Sequence, residues 1–207
     1  MPVIPQYKLI YFNGRGRAET IRLLFAQAQV KYEDVRIERD QWAALKQCMP
    51  FGQLPVLEMD GKQLAQSHAI EKFLARMFGL NGADDWEAAK IDELVLGLED
   101  LFQKIVPWFK EQDEAKRIEI FKKIFDEEVT PFLHRYEHFL EKNGTGYFVG
   151  SHLSLADLAV FNMLSFFDSK LMPGHLKKYP QLDQFVHKIS ELPNIKAWIE
   201  KRPKTDF

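Results

Sequence analysis

Pro55-Val-Leu-Glu-Met59-Asp60-Gly61-Lys62-Gln-Leu-Ala-Gln66 decides the fold. Two short runs flank Asp-Gly, a dipeptide suited to two-residue hairpin turns because both positions tolerate a left-handed backbone. The chain before it reads differently. Lys8-Leu-Ile-Tyr-Phe12 is a strand ended by Asn13-Gly-Arg-Gly16, and from Arg17 to Ala28 the residues Ala18, Ile21, Leu24, Phe25 and Ala28 keep helical spacing. Lys31 to Glu38 alternates again, with Val35 and Ile37 inward, and Asp40 to Cys48 reads as a short helix begun by a capping aspartate. Beyond the hairpin, Ser67 offers an N-cap to a helix running to about Phe78. The order β-α-β-α-β-β-α puts crossovers first and the hairpin second, which makes a compact mixed sheet with helices over about 75 residues.

After Gly79-Leu-Asn-Gly82 no strand signal recurs. Ile91, Leu94, Leu98, Leu101 and Ile105 mark a long helix with Pro107 near its end. Ile118, Phe121, Phe125, Val129, Phe132, Tyr136 and Leu140 mark a second, bent at Pro131. In Leu153-Ser-Leu-Ala-Asp-Leu158 a Ser154/Asp157 capping-box pair coincides with staple spacing of Leu153 and Leu158. The helix that follows is apolar almost all round, as befits the middle of a bundle. Two shorter helices close the chain, one over Leu182 to Leu192 and one from Pro193 to Arg202. The reading is an α/β domain over residues 1–79 and an all-α domain over residues 85–207.

Composition removes several function classes. Of 207 residues, 11 are Gly and 10 Pro and 46% are hydrophobic, which excludes collagen-like and disordered chains. A net charge of −2 gives no general attraction to phosphate backbones, so no nucleic acid is expected as partner. A single cysteine, Cys48, allows neither an internal disulfide nor a CxxC pair and fits a reducing compartment. The first residues lack the basic and apolar regions of a signal peptide, and no apolar run approaches the roughly 18 residues of a membrane span. A cytoplasmic protein is expected.

Some motifs read as structure. Gly14-x-Gly16 follows a strand and opens a helix, as a dinucleotide-binding turn does. Glu19 stands where that motif needs its third glycine, and a hairpin rather than further parallel units follows. His134-Arg-Tyr-Glu-His138 matches an inverted zinc-protease pattern, but both histidines fall opposite the face set by Phe132, Tyr136 and Leu140. Asn143-Gly-Thr145 is a sequon that, without a secretion signal, reads as a turn. Cys48 has only Lys46 as a nearby cation, which does not make a catalytic thiolate.

A different set describes a groove. Tyr11 lies at the carboxyl end of the first strand, where ligands of α/β sheets gather. The next turn opens a helix, whose free N–H groups with Arg15 and Arg17 suit an anion or thiolate. Gln53-Leu54-Pro55 begins a strand whose Pro leaves an unpaired edge for a peptide-like ligand. Gln66-Ser67 opens another helix, a second carboxylate site, and Trp42 with Lys46 adds an aromatic donor and a cation at i, i+4. The guest is small, acidic, peptide-like and thiol-bearing.

Taken in order, Tyr11-Phe-Asn-Gly-Arg-Gly-Arg-Ala-Glu19, Arg36-Ile-Glu-Arg-Asp-Gln-Trp42, Pro50-Phe-Gly-Gln-Leu-Pro-Val56, Gln66-Ser67 with Ile70, Ser154-Leu-Ala-Asp157 and Trp198-Ile-Glu-Lys-Arg-Pro203 resemble the cytosolic glutathione transferases, sigma class, over essentially the whole chain. The resemblance implies an N-terminal thioredoxin-like domain followed by a C-terminal helical bundle, with glutathione as co-substrate. It implies that Tyr11 donates its hydroxyl hydrogen to the glutathione sulfur and that Arg17 sits at the site's mouth. Trp42 and Lys46 would hold the glycine end, Gly52, Gln53 and Leu54 the cysteinyl backbone, and Gln66 and Ser67 the γ-glutamyl carboxylate. Asp100 would reach the γ-glutamyl amine from the other subunit of a homodimer, and Phe12, Gly16, Arg17, Trp108 and Phe207 would line the second-substrate pocket. Gln53 stands where relatives often carry lysine, replacing a charge contact by a neutral hydrogen bond. Leu96 replaces an acid of the cation site found in prostaglandin synthases of the class, leaving Glu99 and Asp100, so no metal is expected.

The activity implied is conjugation of glutathione to hydrophobic electrophiles, with peroxide reduction or prostaglandin isomerisation as side activities. The same fold also serves ligand carriers and lens crystallins. Crystallins tend to be Met-rich with insertions in the helical domain, whereas this chain has 6 Met and short connections. The resemblance further implies a cis Leu54–Pro55 bond, as in other thioredoxin-like folds.

Overall fold

The computed structural model describes residues 6–205. Their contacts form two compact units. The stretch up to Leu80 joins that from Ser190 onward, and Asn81–Ile189 forms the other.

In the first unit, β1 (Tyr7–Phe12), α1 (Glu19–Ala28), β2 (Glu33–Ile37), α2 (Arg39–Leu45), β3 (Val56–Met59), β4 (Lys62–Ala65) and α3 (Ser67–Met77) follow the expected order. The sheet runs β2-β1-β3-β4, with β1 parallel to β2 and antiparallel to β3, and β3 antiparallel to β4. Asp60 (φ 49°) and Gly61 (φ 79°) both take left-handed φ at the hairpin, the conformation a tight two-residue turn demands. Leu9, Ile21, Leu24, Phe25, Leu57, Ile70 and Leu74 are sealed between the sheet and the helices. The Leu54–Pro55 bond is cis. Local boundaries shift for local reasons. The first helix is preceded by a 3-10 turn at Gly16–Ala18, because Gly16 turns left-handed there (φ 40°). The cap of α2 is Glu38, not Asp40: Glu38 and Gln41 exchange side-chain bonds with each other's backbone in a capping box.

The last helix, α9 (Pro193–Lys201), packs with the first unit. Asn194 Nδ2 donates to Gln27 O at 3.1 Å, and Trp198 and Arg202 bond to Glu19 at the start of α1. The expectation of one helical unit over 85–207 therefore changes at its end, since residues after Ile189 find their polar partners on α1.

The second unit holds α4 (Asp85–Lys110), α5 (Glu114–Ile124), α6 (Thr130–Asn143), α7 (Leu155–Phe166) and α8 (Pro180–Ser190), whose last residue falls to the first unit. Seven α7 residues other than Asp157 are buried, so it does run through the middle. Tyr136 Oη donates to Leu94 O at 2.7 Å, and Gly97 leaves room for it: a Cβ there would stand 2.8 Å from that oxygen. The single helix expected across Ile118–Leu140 is continuous, α5 passing into α6 through a π-helical turn at Phe125–Val129 whose flanking residues stay right-handed helical. The irregularity is therefore the π-helical turn, which ends two residues before Pro131, rather than a bend at Pro131 itself. Asn143, first residue of the sequon, spends its amide on Thr145 Oγ1, Tyr147 O and Gly150 O at 2.7–2.8 Å, a clasp for the turn.

Asp157 fastens the entry to α7. Fully buried, it accepts from Phe148 N and Ser154 N at 2.8 Å and from Ser154 Oγ at 2.9 Å. Burial pushes its carboxyl up to about 6, although these three bonds pull it down. With the folded value above the unfolded one, this group's contribution is complete below about pH 4 and falls as pH rises through about 6. Thermal denaturation should therefore show the wild-type protein losing stability relative to Asp157→Asn between pH 4 and pH 7. Asp157→Ala, which removes the cap and leaves buried donors unanswered, should cost about 2–4 kcal/mol by denaturant titration.

Candidate functional site

The sheet's register gathers the expected residues of the first unit at one end. β1 runs out at Phe12 opposite Ile37, the last residue of β2, and α2 follows from there. On its other side Ile10 faces Val56, so Gln53, Leu54 and Pro55, which precede Val56, come to the same end. β4 finishes at Ala65, also opposite Val56, and delivers Gln66 and Ser67 beside them.

Tyr11 is the centre of this end. Its Oη accepts a hydrogen bond from Arg17 N at 3.2 Å. The turn between them closes only because residue 16 is glycine: its φ is +40°, and a Cβ would stand 2.5 Å from Tyr11 Oη. Burial pushes the Tyr11 hydroxyl above its ordinary value, over the opposing pull of the Arg17 N–H and the Arg17 and Arg22 charges. The group stays protonated at neutral pH. A neutral hydroxyl whose oxygen already accepts from the backbone keeps its own hydrogen for a ligand.

Around it, the Phe12 ring meets Tyr11 and Trp42 edge-on, at 5.8 and 5.6 Å. Trp42 is half-buried on α2, and Lys46 follows in an exposed 3-10 turn, Lys46–Cys48. The Lys46 stem crosses Gly52 (φ 56°), where a Cβ would lie 3.5 Å from Cε. Gln53 is exposed and Leu54 half-buried. Gln66 is a non-glycine held at φ 72°, just outside α3, and Ser67 is the buried first residue of that helix rather than its cap. The free N–H groups of this helix start suit a carboxylate.

Of the remaining expected residues, two belong to the second unit and one lies outside the described residues. Asp100 is exposed on α4, in the second unit. Trp108, also on α4, carries the Arg117 guanidinium 4.4 Å over its ring and packs on Phe121 at 5.6 Å. It lines a small apolar cavity of that unit with Ile105, Phe125, Val129 and Phe167. Phe207 lies outside the described residues. His134 and His138 are exposed on α6, and Cys48 is exposed.

One group had no place among the expected residues. Glu19 and Arg22, at i and i+3 on α1, are 1% and 0% exposed. Arg22 Nη1 donates to Glu19 Oε2 at 3.2 Å and to Gly14 O at 2.6 Å, and its Nε to Asp34 Oδ1 at 3.1 Å. Glu19 Oε1 accepts from Trp198 Nε1 and Arg202 Nη1, both at 2.9 Å. Burial alone pushes the Glu19 carboxyl up, but Arg22, Arg202, the Trp198 N–H and Arg15 together hold it below its ordinary value. The signal in sequence is a Glu and an Arg one turn apart in a helix that also carries Ile21, Leu23, Leu24 and Phe25.

Known proteins agree with this architecture in both halves. The glutathione S-transferase N-terminal domain matches residues 7–76 and the glutathione S-transferase C-terminal domain residues 99–202. The chain is 42% identical over 207 residues to glutathione S-transferase 1 of Ascaris suum, a match covering 99% of this chain and 100% of that one. It is 37% identical over 202 residues to hematopoietic prostaglandin D synthase of Rattus norvegicus, across 98% of this chain and 99% of the other. A solved Nu-class glutathione S-transferase from Haemonchus contortus shares its fold with a TM-score of 0.86 at 39% identity, covering 98% of this chain and 100% of that one. With both domain matches in order and relatives near 40% identity over its full length, the chain belongs to the glutathione S-transferase family, as an enzyme of its sigma-like class that uses glutathione as co-substrate.

Proposed function

We propose that the Tyr11 hydroxyl activates bound glutathione by donating a hydrogen bond to its sulfur, and that the thiolate so favoured attacks hydrophobic electrophiles. The observation that carries this reading is the direction of one bond: Arg17 N–H donates to Tyr11 Oη, so the phenolic hydrogen is left to a ligand. A free thiol has a pKa of about 8.5, and only a few per cent is thiolate at neutral pH. A hydrogen bond to a charged group contributes roughly 1.5–3 kcal/mol, which at about 1.36 kcal/mol per unit lowers that pKa by one to two units. The thiol proton goes to water; the sulfur lone pair forms the new bond to carbon while the leaving group departs with its own pair.

The rest of the end of the sheet suits the peptide. Trp42 and Lys46 hold the glycine carboxylate, Gly52, Gln53 and Leu54 the cysteinyl backbone, and Gln66 and Ser67 the γ-glutamyl carboxylate at the start of α3. Phe12, Gly16 and Arg17 face the second substrate from the first unit. The reading includes no metal, since Leu96, 53% exposed on α4, offers no oxygen where the class can carry an acid. It includes a homodimer in which Asp100 serves the site of a second copy. It also puts the enzyme in the cytoplasm, a reducing compartment suited to the exposed Cys48 thiol.

Tyr11→Phe keeps the ring and removes the donor. Steady-state assays should show a rate loss of about 10- to 100-fold near pH 6.5 that shrinks toward pH 9, with a much smaller change in glutathione affinity. A loss that does not shrink makes Tyr11 structural, with Tyr7 on the same face of β1 the next donor to test. Gly16→Ala pushes a methyl against the hydroxyl and should lose up to about 100-fold in rate, read in the same assay. Light scattering at assay concentration should return a dimer, and Asp100→Ala should weaken glutathione binding; a monomer or an unchanged affinity removes Asp100 from the site. Product analysis with prostaglandin H2, a lipid hydroperoxide and an aryl halide side by side identifies the second substrate.

A further inference from the structure

We propose that Glu19, gripped by Trp198 and Arg202 of the chain's last turns, is a positioning residue that sets the aim of the Tyr11 hydroxyl. The inference rests on the Tyr11 reading above and extends it to groups that touch no substrate. The physical path is continuous. Trp198 Nε1 and Arg202 Nη1 converge on Glu19 Oε1, each at 2.9 Å. The other carboxylate oxygen holds Arg22 Nη1 at 3.2 Å, and that nitrogen grips Gly14 O at 2.6 Å. Gly14 opens the turn that ends with Arg17 N donating to Tyr11 Oη. The Arg22 guanidinium carbon also lies 5.9 Å from the centroid of the Tyr11 ring.

This turn needs an external brace. Gly14 and Gly16 bring backbone freedom rather than rigidity. The distance from Arg17 N to Tyr11 Oη, 3.2 Å, is already at the long end for a hydrogen bond. A small shift of the turn loses that bond and lets the hydroxyl rotate, so that its hydrogen no longer points consistently at the sulfur. Glu19 resists such a shift because all its partners are charged or fixed donors and it is itself 1% exposed. Trp198 and Arg202 hold the carboxylate in the rotamer that faces Arg22. Without them the carboxylate can turn, and Arg22 loses one of its three anchors.

Trp198→Phe tests this with little disturbance, since it deletes one N–H donor and keeps an aromatic ring. The readout is the pKa of the bound thiol, followed by the ultraviolet absorbance of the thiolate in the enzyme–glutathione complex, together with kcat and KM. The expected result is a rise of about half a unit to one unit in that pKa, and hence a roughly three- to tenfold fall in kcat at pH 6.5, with KM for glutathione within about twofold. Arg202→Ala should act in the same direction, and Arg202→Lys should restore part of the loss. In a Tyr11→Phe background, Trp198→Phe should cost no further activity, because its effect passes through the hydroxyl. A lowered Tm with an unchanged thiolate pKa overturns the proposal and makes the brace purely structural. Equal losses in both backgrounds overturn it too, since the tail then acts independently of Tyr11. If Tyr11→Phe alone leaves the thiolate pKa unchanged, the Tyr11 reading fails first, and the two failures are told apart.

Discussion

A buried ion pair on the first helix constrains the rest of the first unit. Removing a carboxylate and a guanidinium from water costs several kcal/mol each, which one partner rarely repays in full. Glu19 and Arg22 answer by collecting further partners: Trp198 on α9 and Arg202 just past its end, a carbonyl from the β1–α1 turn and the Asp34 carboxylate on β2. Such a cluster adds little net stability over a well-packed apolar one. Its yield is geometric. Any arrangement that lets the turn or the last helix drift leaves a charge buried without its match, a loss of about 3–5 kcal/mol. The order of the β1–α1 turn is thereby tied to the order of the core.

The sheet does the complementary task of bringing distant parts of the chain to one line. Because β1 pairs parallel to β2 and antiparallel to β3, and β3 antiparallel to β4, the exits of β1, β2 and β4 and the entry to β3 lie at the same edge. Each delivers a different recognition chemistry: a hydroxyl and glycine turn after β1, an aromatic–cation helix after β2, and exposed backbone before β3. A helix start after β4 completes the set. A guest with a carboxylate at each end and an amide chain between them matches that distribution of groups. Nothing in this arrangement requires loops long enough to be mobile.

Much of this was legible in the sequence wherever the determining residues are neighbours. Asp60-Gly61 announced the hairpin, and Ser154 with Asp157 announced α7, because turns and caps are settled within four residues. Tyr11, Gln53 and Gln66 could be named since strand ends follow from turn residues. The brace could not be read that way. Glu19 looked like a missing glycine of a nucleotide-binding turn, and its partners stand 179 and 183 residues further on. No periodicity marks that distance. The π-helical turn at Phe125–Val129 escaped for a related reason. One extra residue in a helical turn barely disturbs a hydrophobic pattern, and Pro131 nearby offered itself as the obvious break.

The position of α9 also sets a timetable. A ribosome adds about 5–20 residues each second, so the 179 residues between Glu19 and Trp198 take roughly ten to forty seconds to make. For all that time the sheet and α1 can assemble, with Glu19 answered by its near neighbours Arg22 and Arg15. The donors Trp198 and Arg202 arrive only after that interval. A chain that stops before Trp198 therefore carries a Glu19 without these two donors. On the positioning role proposed for Glu19, synthesis of this last stretch is what steadies the Tyr11 hydroxyl.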